Sequence, residues 1–226
     1  KTAYEMLRSL VGSEMCIRDR YNPVTKELLV YKDIKIEINF KGGNSHFGED
    51  RLRSRSWDPI LKDIFLNSSS LPKVEYKIPE NTKTQGCEYL IIIPDDPLFF
   101  AWADSLKVFR NKQGISTEIT TITQIGGNDE SLIEQYVNNA YNTWDIPPSA
   151  ILLLADYGNS GNTITTYSLP HPYVGADHYI SDNIYADVNG NHLPDIAFSR
   201  ITARDITELE VMVGKILNYE RNPPIS

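Results

Sequence analysis

The sequence predicts an α/β fold built on a parallel sheet, and three observations carry the prediction. Tyr89–Pro94 (Tyr-Leu-Ile-Ile-Ile-Pro), Ile115–Ile122 and Ala150–Ala155 (Ala-Ile-Leu-Leu-Leu-Ala) are runs of strand length. The first and third lack a polar face, as strands covered by helices on both sides do. Two segments with helical spacing separate the three runs, the alternation of βαβ units joined by right-handed crossovers.

Each element has its own signature. Pro94-Asp95-Asp96 stops the first strand. Leu98–Asn111 carries Phe99, Trp102, Leu106 and Phe109 three or four residues apart, an amphipathic helix with Gly114 as its stop. Gly126-Gly127-Asn128-Asp129 is a polar turn before a second helix, Glu130–Thr143, which buries Leu132, Ile133, Tyr136, Val137 and Ala140. Pro147-Pro148 precedes the third strand. Tyr157–Pro172 reads as a long irregular stretch, and a loop of that length after a sheet strand is usually functional. Tyr179–Ala186 and Ile196–Ser199 read as short strands. The last helix starts at an Asp205 N-cap with Glu208 three residues on, a variant capping box. It buries Leu209, Met212, Val213, Ile216 and Leu217 and ends at Asn222-Pro223-Pro224.

Upstream the reading changes. Ala3–Leu10 has short helical character, and the run Ser9–Arg20 resembles a translated sequencing adapter, so residues 1–20 are set aside as a non-native leader. Asn22-Pro23 with Thr25 is turn chemistry, Glu27–Tyr31 is a strand, and Asp33–Phe40 alternates as a half-buried antiparallel strand ended by Gly42-Gly43-Asn44. Two strands alone are not stable in water, so they belong to a larger β-domain. Arg51, Arg53 and Arg55 form a basic cluster, Trp57–Phe65 a short helix, and Lys73–Gln85 a polar linker. The expected organisation is a leader (1–20), a β-domain remnant (21–70), a linker (71–87) and the α/β unit (88–226).

A net charge of −8 disfavours nucleic-acid partners. No apolar run reaches the roughly 18 residues that cross a bilayer. Two cysteines, Cys16 and Cys87, make no disulfide framework.

The sharpest chemical motif is Asp187-Val188-Asn189-Gly190-Asn191-His192-Leu193-Pro194-Asp195. Side-chain oxygens from Asp187, Asn189, Asn191 and Asp195 suit a hard cation on a tightly curved loop, with a backbone carbonyl near His192 as a further ligand. Calcium as a structural cofactor is one reading. The other is a plain turn between strands, since Asn-Gly is also a hairpin signal. Asp95, Asp96 and Asp156 stand at strand ends as in phospho-acceptor receiver domains, but no partner Thr/Ser and Lys follow, and capping is the simpler use. Cys87 paired with one of His46, His171, His178 or His192 would make a thiolate–imidazole nucleophile. It precedes the first strand, however, on the wrong edge of the sheet.

Several stretches together resemble one family. Tyr21-Asn22-Pro23-Val24-Thr25 with Leu28-Leu29-Val30-Tyr31 is similar to the end of a gingipain-type propeptide. Tyr89–Pro94, Trp102 through Gly114-Ile115-Ser116-Thr117-Glu118, and Ala150–Asp156 resemble the first part of the gingipain-like cysteine peptidase catalytic domain. So do Ser181-Asp182-Asn183-Ile184-Tyr185 through Asp195-Ile196-Ala197-Phe198-Ser199-Arg200-Ile201, and Asn218-Tyr219-Glu220-Arg221-Asn222-Pro223. The resemblance spans about residues 21–224. It implies a caspase-like α/β sandwich, an extracellular or bacterial cell-surface location, peptide or protein substrates, and a catalytic Cys–His dyad. No residue here matches the dyad, so the expectation is an inactive fragment with no catalytic residue, whose partner is the C-terminal half of the catalytic domain. From a different class, a non-catalytic, calcium-stabilised α/β module binding protein or glycan at the cell surface fits the same residues.

Overall fold

The structure is a computed structural model, and it describes residues 19–30, 50–54, 57–65, 68–70, 73–74, 85–171, 173, 175 and 177–223. The chain divides into two compact units, residues 1–46 and 47–226. The readings of Ala3–Leu10 as a helix and of Asp33–Phe40 as a strand, and most of the polar linker, lie outside the described residues.

In the first unit, β1 (Asp19–Asn22) and β2 (Glu27–Val30) form an antiparallel hairpin in the register Asp19↔Val30 to Asn22↔Glu27. Its turn is the one the residues predict: the Asn22 Oδ1 accepts from the Val24 and Thr25 amides at 3.0 and 3.4 Å. Asp19 and Arg20, read as leader, are paired in this hairpin.

In the second unit a 3-10 turn (Asp50–Leu52) precedes α1 (Trp57–Ile64). Then follow β3 (Tyr89–Ile93), α2 (Pro97–Lys112), β4 (Thr117–Thr121), a short α3 (Ile122–Ile125), α4 (Glu130–Thr143) and β5 (Ala150–Leu154). After β5 come β6 (Asp156–Tyr157), β7 (Thr163–Ile164), β8 (Tyr167–Pro170), β9 (His178–Ser181), α5 (Asn183–Ala186), β10 (Ala197–Ile201) and α6 (Ile206–Arg221). The main sheet has the order β10-β5-β3-β4 and every pairing in it is parallel. Leu90–Ile93 and Ile151–Leu154 are 0–2 % exposed, so the apolar runs are covered on both faces. Successive right-handed crossovers put α2 and α4 on opposite faces. α6 packs beside α2, and α5 beside α4. This is the expected α/β architecture with a parallel sheet.

Local chemistry sets the helix ends. Asp96 caps α2 through Oδ1, which accepts from the Leu98 amide at 2.7 Å, and Pro97 takes the first helical position. At the other end Gly114, at φ +81°, closes a Schellman turn: its amide bonds to the Asn111 carbonyl and that of Ile115 to Arg110. Thr121 and Gln124 make a reciprocal capping box, which turns the chain into α3 where the sequence reading continued the strand to Ile122. Asp205 caps α6 as predicted, but the Glu208 carboxylate reaches back to the Arg204 amide.

Two readings change. Tyr157–Pro172, read as irregular, contains the β6–β7 pairing and the start of an antiparallel β8–β9 hairpin. Tyr179–Ala186 is not one strand: β9 stops at Ser181, whose Oγ accepts from the Asn183 amide, and α5 follows. Tyr185 on that short helix is fully buried, and a helical turn brings it there.

Candidate functional site

The proposed metal-binding loop runs from the end of α5 to the amino end of β10. Its ends are tied by the Asp195 amide, which bonds to the Ala186 carbonyl at 2.8 Å. Asp187 accepts from the Asn191 amide through Oδ1 (3.0 Å) and from the His192 amide through Oδ2 (2.7 Å). The Asn189 Oδ1 lies 3.1 Å from that same Asn191 amide, so it and the Asp187 Oδ1 share one N–H donor. Asp195 accepts from the Val188 and Asn189 amides and from the Asn189 side chain. The Asn191 Oδ1 accepts from the Leu193 amide at 2.8 Å. Gly190 and His192 take positive φ values of 71° and 70°, which curl the loop inward. Four oxygen side chains, two of them carboxylates, match the donor type of a calcium loop. Each also serves the loop's own amides. Among the described residues no group of three or more His, Cys, Asp or Glu is placed to hold a metal. The loop lies at the amino edge of the sheet, so an ion there would brace structure.

The strand-end carboxylates are separated by function. Asp95 accepts from the Thr123 amide (3.1 Å) and hydroxyl (2.6 Å). Partial burial pushes its carboxyl up, but the bonds from Thr121 and Thr123 outweigh that and hold it below its ordinary value. Asp96 caps α2 and accepts from the Asn162 side chain at 2.9 Å. Asp156 pairs with Arg204. Here too desolvation is outweighed, by the Tyr157 amide and Arg204, and the carboxyl sits low. Asp96 caps a helix, Asp95 holds the first turn of α3 through Thr123, and Asp156 serves an ion pair, so the three carboxylates make three separate contacts.

Cys87 is fully buried at the amino edge. Burial pushes its thiol up to about 12, the opposite of an activated nucleophile. His171 and His178 stand on or beside the β8–β9 hairpin and His192 in the Asp187–Asp195 loop, while His46 lies outside the described residues.

The sequence reading missed a hub at the carboxyl edge. Arg200 of β10 is 10 % exposed and grips Asp182 with two bonds, Nε–Oδ2 at 2.8 Å and Nη2–Oδ1 at 2.7 Å. Its Nη1 donates to the carbonyls of Ala155 (3.1 Å) and Ile164 (2.9 Å). The buried Tyr185 hydroxyl donates to the Thr165 carbonyl at 2.9 Å. From the turn before α4, Asn128 donates to the Gly158 and Thr163 carbonyls and accepts from the Thr165 amide. The stretch after β5 is thereby clamped from β10, α5 and the turn before α4. An arginine closing an apolar strand was the only signal in the sequence.

These elements define a doubly wound α/β unit whose carboxyl-edge loops are braced by side chains from three separate elements. The family model described as Peptidase family C25 matches residues 82–225, and the chain belongs to that family. It is 23 % identical over 213 residues to Gingipain R2 of Porphyromonas gingivalis, covering 90 % of this chain and 26 % of that protein. It is 22 % identical over 209 residues to Gingipain R1 of the same organism, covering 90 % and 19 %. The chain thus spans about a quarter or less of these relatives. Among solved structures, the crystal structure of the Arg-specific cysteine proteinase gingipain R is 19 % identical, with a TM-score of 0.48 over 64 % of this chain and 30 % of that one. The complex of Porphyromonas gingivalis RgpB pro- and mature domains is 19 % identical, with a TM-score of 0.47 over 58 % and 29 %.

Proposed function

We propose that this chain is the propeptide tail and first catalytic subdomain of a secreted, gingipain-like cysteine endopeptidase. The match to Peptidase family C25 over residues 82–225 carries the reading. In such an enzyme a histidine takes the thiol proton of a cysteine, and the thiolate attacks a peptide carbonyl. Neither residue is assigned in this chain. Cys87 is buried and its thiol is held protonated, so it is not the nucleophile. The α/β unit would supply sheet and braced loops to a partner half of the catalytic domain carrying the dyad. Substrates are proteins or peptides, and the location is extracellular or at the bacterial surface. Among the described residues no helix is long and apolar enough to cross a membrane. The family match speaks against the alternative of a non-catalytic surface module. The test is a thiol-dependent peptidase assay on this chain and on the polypeptide of its whole reading frame. Activity is expected only in the longer one. Cleavage by this chain alone, blocked by a thiol reagent, contradicts the assignment of the dyad.

A calcium ion held by Asp187, Asn189, Asn191 and Asp195 belongs to the same proposal, as a brace between α5 and β10. The support is the oxygen-only donor set of these four side chains on one tightly curved loop, whose backbone takes positive φ at Gly190 and His192. Binding to the folded state alone raises Tm as calcium exceeds its Kd. Calcium is expected to raise the Tm of this chain, and that of Asp187→Asn by less. An unchanged Tm in calcium and in chelator removes the ion.

A further inference from the structure

We propose that Asn189 is a site of spontaneous deamidation, and that its conversion to an acid loosens the loop between α5 and β10. The electrophile is the side-chain amide of Asn189 and the nucleophile is the Gly190 main-chain nitrogen. Nowhere else in the chain does glycine follow asparagine. Glycine has no Cβ to crowd a nitrogen that turns back on the preceding side chain. Both residues are exposed, and open space lies where a Gly190 Cβ would be. The Gly190 amide is engaged by no acceptor among the described residues, so base from solvent reaches its proton. The loop also presents the amide for attack. The Asn189 Oδ1 accepts from the Asn191 amide at 3.1 Å. This Asx turn folds the side chain back over its own following peptide and brings Cγ toward the Gly190 nitrogen. It places a donor where negative charge develops on Oδ1. Asn191 makes the same kind of turn with the Leu193 amide at 2.8 Å, but the residue after it is His192, whose side chain crowds the nitrogen. One loop thus holds the reactive pair and its own comparison.

The step balances with water as the only co-reactant. Base takes the Gly190 amide proton, and the nitrogen bonds to the Asn189 Cγ. The Cγ–Nδ2 bond then breaks, and Nδ2 leaves as ammonia with a proton from solvent. The cyclic imide that remains adds water. Attack at Cγ reopens the ring to an ordinary aspartyl residue, and attack at the Asn189 main-chain carbonyl gives the isoaspartyl form, whose main chain runs through Cγ. Either product carries a carboxylate where an amide stood. That amide now donates through Nδ2 to the Asp195 Oδ1 at 2.7 Å. After conversion the donor is gone and two carboxylates face each other across the same gap, which is unfavourable for both. Asp195 also accepts from the Val188 and Asn189 amides, and its own amide ties to the Ala186 carbonyl. The repulsion therefore bears on the contacts that join α5 to β10.

The test needs no peptidase activity and is run in chelator, so it stands apart from both the peptidase and the calcium readings. The 226-residue chain is aged in warm, mildly alkaline buffer, natively and in urea, and digested at intervals for peptide mass analysis. In the native protein Asn189 is expected to convert at least about tenfold faster than Asn191, with isoaspartate in the same peptide. Gly190→Ala should slow the conversion by about tenfold; circular dichroism checks that this variant folds, since a Cβ at φ +71° strains the turn. Asn189→Asp carries the ordinary product from the start, and should lower Tm by about 2–4 °C, as ageing of the wild type does. Conversion of Asn189 in urea but not in the native protein overturns the inference, and so does equal conversion at Asn191. An unchanged Tm in both Asn189→Asp and the aged protein overturns the loosening of the loop.

Discussion

Arg200 serves three backbone carbonyls and one carboxylate from a side chain that is 10 % exposed. Removing one partner of so enclosed a pair leaves the other charge without compensation, which costs more than the pair contributes. Arg200→Met is expected to lower unfolding free energy by about 3–5 kcal/mol, read from urea denaturation. Arg200→Met with Asp182→Leu should recover part of that loss, because no buried charge is then left over. A single variant within 1 kcal/mol of wild type would mean that water reaches the pair. Cys87 makes the opposite case, a group kept neutral. Its folded thiol is raised from 9.0 to about 12 by burial. The unfolded chain therefore loses this proton first, and the stability from the neutral thiol is present below pH 9 and is lost as pH rises toward 12. At pH 8 a thiol reagent should modify the native protein at Cys87 only as fast as it unfolds, and readily in denaturant. Fast native labelling at Cys87, located by peptide mass, would show that the thiol is accessible.

Among the elements, the stretch after β5 depends most on side chains beyond its own strand pairs. Asn128 supplies three bonds to it, two donated and one accepted. Asn128→Ala should raise amide hydrogen exchange across residues 158–165 by tenfold or more while β3 and β5 stay protected; a uniform rise would show that the stretch unfolds only with the whole domain. This contrast also explains what could be read from the chain. β3 and β5 are legible because strands buried on both faces must be apolar at every position. α2, α4 and α6 are legible because their apolar stripes repeat every three or four residues, and Asp205 marks the start of α6; the caps that Asp96 and Asp129 supply are seen in the structure. The clamped stretch has no such period. Its shape is held by side chains from Asn128, Tyr185 and Arg200, which are distant in sequence, and no local pattern reports them. α5 was hidden for a related reason: His178–Ala186 has the composition of a strand, and the turn at Asp182 is decided by the pair with Arg200 and the burial of Tyr185. The Asp187–Asp195 loop stood out as a spacing of oxygens, but not the way those oxygens serve their own amides.

At the scale of the molecule, α2 and α6 lie side by side on the sheet, and one ion pair ties their carboxyl halves. Arg110 holds both oxygens of Glu220, lies 5.9 Å from the Tyr89 ring centroid and 5.6 Å from that of Phe109, and so joins β3, α2 and α6. Hydrogen bonding to Arg110 is the main cause that sets the Glu220 carboxyl below its ordinary 4.5, and burial only partly opposes it. A carboxyl depressed in the folded state stabilises the fold above its unfolded value, and that contribution disappears as pH falls through the folded one. Acid should therefore weaken the α2–α6 seam below pH 4.5. Asp95 and Asp156, also held low, add to the same limb from the opposite edge of the sheet. Arg110→Met separates the two sources. At pH 7 it should cost about 1.5–3 kcal/mol, the range for a hydrogen bond to a charged group. The gap to wild type should then narrow as pH falls below 4.5, because protonated Glu220 has lost its partner in both proteins. Urea midpoints of the two proteins at pH 7, 5 and 3.5 measure this. A gap that stays constant over that range would mean that Arg110 stabilises the seam through its aromatic contacts with Tyr89 and Phe109 rather than through Glu220.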